Sequence, residues 1–331
     1  MINKKKSILI LGCAGFIGTN LSKFFLKKGH TVIGVDNFYL GSRKHINQLK
    51  KEFSSSFKFY KLNIINKNHL LQIPKLNYKY IINLIANSDI SKSKNNSFVD
   101  VNLNLITLIN ILDHFKNKSK KTKFFFASTS AIYGNNSMNV NEKTSEQNPI
   151  SHYGSSKLAC EKYINSFYEY HRLKHVIFRF PNVVGPHLTH GVIYDFLNKL
   201  KNNGFTSLKI LGNGSQSKNY IYVDDLCEAI HMGLKNKIKN IEIFNVSTKG
   251  RTNVKKIVQL IKKIFKKNFK TTYENKKIGW VGDVNKFSYK TDKIRNIGWK
   301  PKIDKSDEAI IKTIKWYKDK INDNMQSSIK S

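Results

Sequence analysis

Near the middle of the chain, two side chains have the types and the spacing that proton transfer to or from an alcohol requires. Tyr153 and Lys157 are four positions apart, and a helix places such a pair on one face, one turn from each other. A tyrosine hydroxyl with its ordinary pKa of about 10 is a poor base at neutral pH, but a neighbouring lysine cation favours the phenolate. The pair could therefore take a proton from a hydroxyl group while hydride leaves the same carbon.

A third hydroxyl group would have to hold the reacting oxygen, and the chain offers one shortly before this pair. Residues 123–133, KFFFASTSAIY, predict a strand that ends in small hydroxyl residues. We choose Thr129 as the residue that polarises the forming carbonyl, with Ser128 and Ser130 as neighbours that could be confused with it. A tyrosine and a lysine at this spacing also occur by chance in lysine-rich helices, so the predicted catalytic role depends on the motifs that precede the pair in the chain.

The element that would position a cofactor for this chemistry lies at residues 7–36. An apolar run predicts a buried parallel strand, and Gly12, Gly15 and Gly18 follow it at fixed spacing. Glycine allows a tight bend and lets backbone N–H groups approach a pyrophosphate at the positive end of the next helix. A second predicted strand ends at Asp36, whose carboxylate would repel a 2′-phosphate and so favours NAD over NADP. The alternative is an ordinary strand–helix–strand unit with a glycine turn and no ligand.

Composition bears on several other functions. The formal net charge of +36 would suit a nucleic-acid or membrane-surface protein, but only five of the 58 basic residues are arginine and the lysines are scattered. We therefore expect neither nucleic-acid nor membrane binding, and interpret the charge as a field that attracts an anionic nucleotide. No apolar run approaches the roughly 18 residues of a membrane span. Three cysteines without a CxxC pair fit a reduced, cytoplasmic protein without a metal site.

Four motifs follow one another in the chain: the glycine turn, the STS segment with YxxxK, RFPNVVGP at residues 179–186 and YIYVDD at residues 220–225. Together they resemble the NAD-dependent epimerase/dehydratase family, which is part of the extended short-chain dehydrogenase/reductase superfamily. The likeness extends over residues 8–301 and is closest to the UDP-glucose 4-epimerase-like members.

This resemblance implies an α/β fold, with a doubly wound parallel sheet of the Rossmann type and a smaller C-terminal substrate-binding lobe. We expect an NAD-binding domain over residues 1–180, to which the chain returns around residues 219–248. Residues 181–331 would form mainly the substrate-binding lobe.

The resemblance also implies the residues of the site. Thr129, Tyr153 and Lys157 would be catalytic, and Thr129 would contact the substrate together with Asn182 and Lys218. The residues assigned to NAD follow the glycine turn and the ends of the predicted strands: Gly12, Gly15, Phe16, Ile17, Gly18, Asp36, Asn37, Asn63, Ile64, Ile85, Ala86, Asn102, Tyr153, Lys157 and Phe180.

At three places the chain departs from the family pattern. Asn63 stands where an aspartate usually brackets the adenine, and an amide can still hydrogen-bond that base. Lys218 stands where an arginine grips the nucleotide diphosphate, so it supplies charge without the bidentate fork. Residues 276–278, KKI, stand where related enzymes often carry a phosphate-binding arginine, which leaves that contact open.

The activity that the resemblance implies is epimerisation of a nucleotide sugar, most closely a UDP-sugar, through a transient 4-keto sugar. Ser130 and Ala131 occupy the positions at which 4,6-dehydratases carry Asp-Glu, and neither can act as the acid or base that removes water. A decarboxylase, a dehydratase or a reductase of the same family remains an alternative, and a non-catalytic NAD-binding sensor is an alternative of another class. In the family, the helix predicted at residues 98–115 forms half of a dimer interface, so we expect a homodimer.

Overall fold

Strands and helices alternate along the first half of the chain. The computed structural model describes residues 7–88, 93, 96–117, 121–135, 137–144, 146–274 and 287–329. In chain order its first elements are β1 (Ser7–Leu11), α1 (Phe16–Lys27), β2 (Thr31–Asp36), α2 (Arg43–Glu52), β3 (Phe57–Lys61), α3 (Lys67–Leu70), β4 (Tyr80–Asn83), α4 (Phe98–Asp100), a π-helix (Val101–Ile106), α5 (Thr107–Phe115), β5 (Lys123–Thr129), a 3₁₀-helix (Ser130–Tyr133) and β6 (Ser137–Val140).

The second half of the chain begins with a helix of 20 residues and continues with strands of two to six residues. Its elements are α6 (His152–His171), β7 (His175–Phe180), β8 (Asn182–Val184), α7 (Val192–Asn202), β9 (Ser207–Ile210), β10 (Ser217–Lys218), β11 (Tyr220–Tyr222), α8 (Val223–Lys235), β12 (Ile241–Asn245), β13 (Thr252–Asn253), α9 (Val254–Phe265), β14 (Lys270–Tyr273), β15 (Phe287–Tyr289), α10 (Asp292–Asn296) and α11 (Ser306–Ile329).

Seven strands form one parallel sheet in the order β12-β7-β5-β4-β1-β2-β3. The order reverses beside β1, which pairs with β2 on one side and with β4 on the other. Every residue of β1, β2 and β7 is buried, because helices cover both faces of a sheet of this kind. Alternate residues of β1 join different clusters: Ile8 and Ile10 pack on one face, Leu9 and Leu11 on the other. The predicted doubly wound parallel sheet is therefore confirmed.

Smaller strand pairs lie beyond this sheet. They are β8 with β11, β9 with β14, β10 with β13, and β6 with β15. The N-terminal end of α11 holds two of them in place, since the Ser306 hydroxyl accepts a hydrogen bond from Tyr220 N (2.9 Å) and donates one to Gly250 O (3.1 Å). The sheet strand β12 comes from the segment 219–248, and we keep the division into an NAD-binding domain and a substrate-binding lobe as a proposal.

The helix predicted at residues 98–115 is not uniform. Its middle is a π-helix, which takes up more residues per turn than an α-helix and so rotates the following side chains about the helix axis. Leu108 and Leu112 are buried, whereas Val101 is 36% exposed and Asn104 is 1% exposed. The hydrophobic pattern alone carries no sign of the extra residue in this turn.

The three cysteines, Cys13, Cys160 and Cys227, are all free and buried. Within the part of the chain that the structure describes, no helix has both the length and the apolar character that a membrane crossing needs.

Candidate active site

A cleft of about 930 Å³ runs along the carboxyl ends of the sheet strands and onto the smaller strand pairs. In an open parallel sheet this edge, near the reversal of strand order, is where ligands bind. The cleft wall contains every site residue predicted from the sequence with one exception, Asn102. Residues that are up to 206 positions apart, from Gly12 to Lys218, are thus brought to one cavity.

In the glycine turn, Gly18 packs so closely on the backbone of Gly12 that no residue with a side chain would fit at position 18. A Cβ atom on Gly18 would lie 2.0 Å from Gly12 O, so the start of α1 rests directly on the turn. Gly12 has a φ of +85°, a conformation that L side chains rarely adopt. Neither a capping side chain nor an acidic residue occupies the first turn of α1 within the described residues, so the positive end of this helix faces the cleft and fits a pyrophosphate.

Asp36 ends β2 with its carboxylate held in one orientation. One oxygen, Oδ2, accepts a hydrogen bond from Ala14 N (3.0 Å), and the other, Oδ1, accepts one from Phe38 N (2.7 Å). Burial raises the pKa of this carboxyl above its ordinary value, while the backbone N–H groups oppose the shift. The glycine turn and this fixed acceptor at the cleft edge together fit the pyrophosphate and ribose of NAD.

Tyr153 and Lys157 lie in the first turns of α6, which Ser151 caps through a hydrogen bond from Gly154 N to its hydroxyl (3.1 Å). Lys157 Nζ lies 5.9 Å from the centre of the Tyr153 ring and donates a hydrogen bond to Ala127 O (2.8 Å). Its side chain is 1% exposed. The predicted pair is thus on one helical face, beside the end of β5.

Thr129, the last residue of β5, completes this group. Its hydroxyl lies near the Tyr153 side chain, whose pKa it lowers, and it accepts a hydrogen bond from Ala131 N (3.1 Å). Ser128 points elsewhere, because its hydroxyl donates to the Glu161 carboxylate. Ser128, one of the two serines that could be confused with Thr129, therefore already has another hydrogen-bond partner.

Burial dominates the electrostatics of the pair. It lowers the pKa of Lys157 to about 8, although the carboxylates of Asp100 and Glu161 oppose this shift. Burial also raises the pKa of Tyr153 above its ordinary value, Asp100 adds to the rise, and the nearby Thr129 hydroxyl opposes it. The protein's own groups therefore favour the neutral phenol, and a further positive charge in the cleft would favour the phenolate.

A buried polar network lies directly behind the pair. Glu161, one helical turn beyond Lys157, binds Arg179 through two guanidinium nitrogens, with Nη2–Oε2 at 2.6 Å and Nε–Oε1 at 3.1 Å. Arg179 also donates to the Tyr133 hydroxyl (2.8 Å), which donates in turn to Asn245 Oδ1 (2.8 Å). Because Ser128 joins at Glu161, this network ties α6 to β5, β7 and β12.

Asn102 differs from its prediction. It lies in the π-helix, is exposed and is absent from the cleft wall. Asn104, two positions further, is buried; its Oδ1 accepts from Asn87 N (2.8 Å) and its Nδ2 donates to Ser156 Oγ (2.8 Å). The widened turn brings Asn104 inward instead of Asn102, so we withdraw Asn102 from the proposed cofactor-binding residues.

The other end of the cleft contains residues that sequence reasoning missed. Gln216 and Arg251 line it together with the predicted Asn182 and Lys218. Gln216 directly precedes β10 (Ser217–Lys218), a strand too short to give a spacing signal. Arg251 offered only its rarity in a chain with five arginines. The lysine-rich segment 276–278 lies outside the described residues.

Comparisons with known proteins agree with this geometry. A family model described as the NAD dependent epimerase/dehydratase family matches residues 8–247. The UDP-glucuronate 4-epimerase of Thermodesulfobacterium geofontis is 30% identical over 326 residues, which are 95% of this chain and 96% of that protein. The dTDP-D-glucose 4,6-dehydratase of Homo sapiens is 28% identical over 328 residues, which are 95% of this chain and 90% of that protein.

Among solved structures, the UDP-glucose 4-epimerase with UDP-glucose from Thermotoga maritima is similar, with a TM-score of 0.83 at 27% identity. The alignment covers 95% of this chain and 99% of that one. Epimerases and a dehydratase thus match over nearly the whole length, and the cleft holds the residues that the motifs predict. The chain belongs to the NAD dependent epimerase/dehydratase family.

Proposed function

We propose that this protein is an NAD-dependent nucleotide-sugar epimerase, most similar to UDP-glucose 4-epimerases. The observation that carries the proposal is that Thr129, Tyr153 and Lys157 line one part of a cleft, with Lys157 Nζ 5.9 Å from the Tyr153 ring centre, and that the neighbouring wall fits NAD. The family accounts for the enzyme class, and the residues beside Thr129 favour epimerisation within it.

In this proposal the cofactor lies along the strand ends. The glycine turn would hold its pyrophosphate and Asp36 its adenosine ribose, while Asn37, Asn63 and Ile64 would surround the adenine. Phe16, Ile17, Ile85, Ala86 and Phe180, which all line the cleft, would cover the remainder. When bound, NAD supplies a reversible hydride acceptor for the sugar carbon.

The protein's own residues would then move the proton. Tyr153 takes the proton of the 4-hydroxyl group, and Thr129 holds that oxygen while it becomes a carbonyl. The Lys157 cation favours the phenolate form of Tyr153. After the 4-keto sugar has turned over in the cleft, Tyr153 returns the proton and the configuration at that carbon is inverted.

The two residues after Thr129 favour epimerisation over dehydration, because neither is an acid or a base. Ser130 and Ala131 line the cleft directly after Thr129, and neither can accept or donate the proton that loss of water requires. Decarboxylation and reduction need no acid pair here, so they remain the alternatives that product analysis must separate. A sensor without chemistry would have no need of Tyr153 and Lys157.

We also propose a homodimer in the cytoplasm. Exposed aromatic residues on the neighbouring helices α4 and α6 support the dimer: Phe98 is 70%, Tyr163 44% and Tyr170 82% exposed. The three free thiols fit a reducing compartment. Sedimentation analysis of the purified protein would give the oligomeric mass, and a monomer at micromolar concentration would contradict the dimer.

Turnover assays with pure nucleotide sugars test the activity. Purified protein is incubated with UDP-glucose, UDP-N-acetylglucosamine or UDP-glucuronate, with and without NAD, and products are separated and weighed by mass spectrometry. We expect one product of unchanged mass and altered retention. Loss of water or of carbon dioxide would move the assignment to dehydratase or decarboxylase, and no product from NAD-loaded protein would overturn the UDP-sugar proposal.

Replacing the proposed base tests the mechanism. Tyr153→Phe should keep bound NAD and lose turnover by about 10²- to 10⁴-fold, because only the hydroxyl is removed. Tyr273→Phe, on the exposed strand β14 and outside the cleft wall, is the matched control and should retain full turnover. Equal rates in the two variants would contradict the role of Tyr153.

A further inference from the structure

Asp100, the last residue of α4, is a buried acid whose side-chain partners in the described part of the chain are neutral. Its side chain is 1% exposed. The oxygen Oδ1 accepts hydrogen bonds from Asn87 Nδ2 (3.0 Å) and Asn104 Nδ2 (3.3 Å), whereas Oδ2 has no hydrogen-bond partner among the described residues. Because a buried charge is costly unless an opposite charge compensates it, a carboxylate in this place needs a positive charge nearby.

Lys157 is a buried cation on the neighbouring helix. α4 packs on α6, and the charge of Asp100 acts on both Lys157 and Tyr153. The Lys157 side chain is 1% exposed, and its ammonium donates a hydrogen bond to the neutral carbonyl of Ala127 (2.8 Å). An acid and a cation are thus buried in the same part of the molecule, and each is hydrogen-bonded to neutral groups.

The other acidic groups that act on Lys157 carry no spare negative charge. Glu161 is bound to Arg179 through two guanidinium nitrogens, so its charge is compensated within its own pair. Burial raises the pKa of the Cys160 thiol to about 12, so this group is uncharged at neutral pH. Among the described residues that act on Lys157, Asp100 is therefore the acid that no other cation compensates.

A chain of hydrogen bonds also connects Asp100 to the backbone of Tyr153. Asn104 Nδ2, which donates to Asp100, donates to Ser156 Oγ (2.8 Å) as well, and this hydroxyl donates to Tyr153 O (2.8 Å). Asn104 Oδ1 accepts from the backbone of Asn87 (2.8 Å), in the segment that follows β4. The side chains of Asn87, Asn104 and Ser156 are all buried. The acid thereby holds the first turn of α6 against the end of a sheet strand.

We propose that Asp100 is a positioning residue, whose carboxylate is the counter-charge of the Lys157 ammonium and whose amide partners hold the turn of α6 that carries Tyr153. The negative charge keeps Lys157 cationic in a buried site, and the hydrogen bonds keep Tyr153 in place at the cleft. Asp100 is not part of the cleft wall, so it acts through these two residues and does not touch a substrate. This assignment rests on the proposed function, since it gives Asp100 a role toward the proposed catalytic pair.

Titration of Lys157 by nuclear magnetic resonance tests the charge without any nucleotide sugar. The NAD-loaded full chain is labelled with carbon-13 at the lysine ε-carbon, and the signal that is lost in Lys157→Met identifies the residue. Burial lowers the pKa of Lys157 to about 8, so its midpoint is separated from those of exposed lysines at about 10.4. Asp100→Asn removes the charge and keeps the side-chain shape. We expect the Lys157 midpoint to fall by about one pH unit, because loss of a nearby negative charge makes deprotonation easier.

Asp113→Asn is the matched control for the charge. Asp113 lies on α5, 43% exposed and outside the cleft wall, so its replacement removes the same charge and should leave the Lys157 midpoint unchanged. Bound NAD and the thermal unfolding temperature, measured for each variant, show that it is folded.

Ser156→Ala tests the hydrogen-bond chain, because it breaks the link to Tyr153 and keeps the charge of Asp100. Turnover should fall by about tenfold, with the Lys157 midpoint unchanged. Ser155→Ala, exposed on the same turn, should retain full turnover. Both limbs of the profile of kcat/KM against pH should move to lower pH in Asp100→Asn and keep their positions in Ser156→Ala.

Each outcome decides the proposal. An unchanged Lys157 midpoint in folded, NAD-loaded Asp100→Asn overturns the counter-charge, whether or not UDP-sugars are turned over. Full turnover in Ser156→Ala overturns the positioning of Tyr153. The expected midpoint shift in a protein that turns over no UDP-sugar keeps the pairing with Lys157 and removes the UDP-sugar proposal.

A second pair of variants decides the matter if Asp100→Asn does not fold. Replacing both partners, in Asp100→Asn/Lys157→Met, should then recover the thermal unfolding temperature, because neither charge is left buried alone. No recovery would overturn the pairing of Asp100 with Lys157.

Discussion

The two ends of the cleft are built on different principles. At the cofactor end the contacts are already made: the Asp36 oxygens are held by backbone N–H groups, and Gly18 rests on Gly12. At the other end, which we propose binds the substrate's nucleotide, the Gln216 amide has no partner among the described residues, and Lys218 and Arg251 are long, partly exposed side chains. A ligand retained through every turnover suits a rigid, backbone-built site, whereas an exchanging ligand suits contacts made by side chains.

The largest effect expected is at the rigid end. Gly18→Ala should abolish NAD retention, because its Cβ would lie 2.0 Å from the backbone oxygen of Gly12 and the turn would have to open. Bound NAD is measured by absorbance after denaturation. Gly29→Ala is the control: its Cβ would meet nothing within 4 Å, so only the strain of its φ of +76° remains. Normal NAD content in Gly18→Ala would show that this end is not rigid.

The network behind the proposed catalytic pair, Tyr153 and Lys157, should be nearly as sensitive. Arg179→Met leaves the Glu161 carboxylate buried without its cation, so the free energy of unfolding should fall by about 3–5 kcal/mol. Urea unfolding measures the change. Removing both partners in Glu161→Leu/Arg179→Met should restore a large part of it. The exposed pair Arg172–Glu169, at 58% and 59% exposure, is the comparison: Arg172→Met should cost less than about 1 kcal/mol.

Lowering the pH should weaken NAD binding through protonation of Asp36. Burial raises the pKa of this carboxyl, so the protonated form, which is a poorer acceptor for the ribose hydroxyls, appears at a higher pH than for an exposed aspartate. NAD affinity should therefore fall as the pH is lowered towards that raised pKa. Asp36→Asn should bind NAD about tenfold more weakly at neutral pH with a flatter pH profile. Parallel profiles for the two proteins would contradict this origin of the pH dependence.

The smallest effect expected is at the adaptable end. Lys218→Arg should tighten UDP binding by a few-fold, because a guanidinium fork matches a diphosphate better than a point charge does. Lys237→Arg, exposed and remote, is the matched control. Titration with UDP measures both. If Lys218→Arg binds UDP no more tightly, Arg251 already satisfies the diphosphate, and the two ends differ less than we infer.

The same contrast explains what could be predicted from the sequence. The glycine turn, Asp36 and the pair Tyr153–Lys157 depend on short spacings, and the apolar runs predicted β1, β2 and β5 of the main sheet. Asn102 was placed wrongly because one extra residue in a helical turn leaves no mark in the hydrophobic pattern. Gln216 and Arg251 lie at opposite ends of a ladder of two residue pairs, which is too short for any periodicity to indicate.

The buried cysteines give the protein three internal reporters of opening. Cys13 lies in the glycine turn, Cys160 in α6 with its thiol donating a hydrogen bond to Asn104 O (3.4 Å), and Cys227 in α8. Burial raises the pKa of each thiol, so an alkylating reagent reacts only while that segment is transiently open. The labelling rate at each site therefore measures a local opening equilibrium, and slower labelling of Cys13 with NAD present would give the energy with which the cofactor closes its turn.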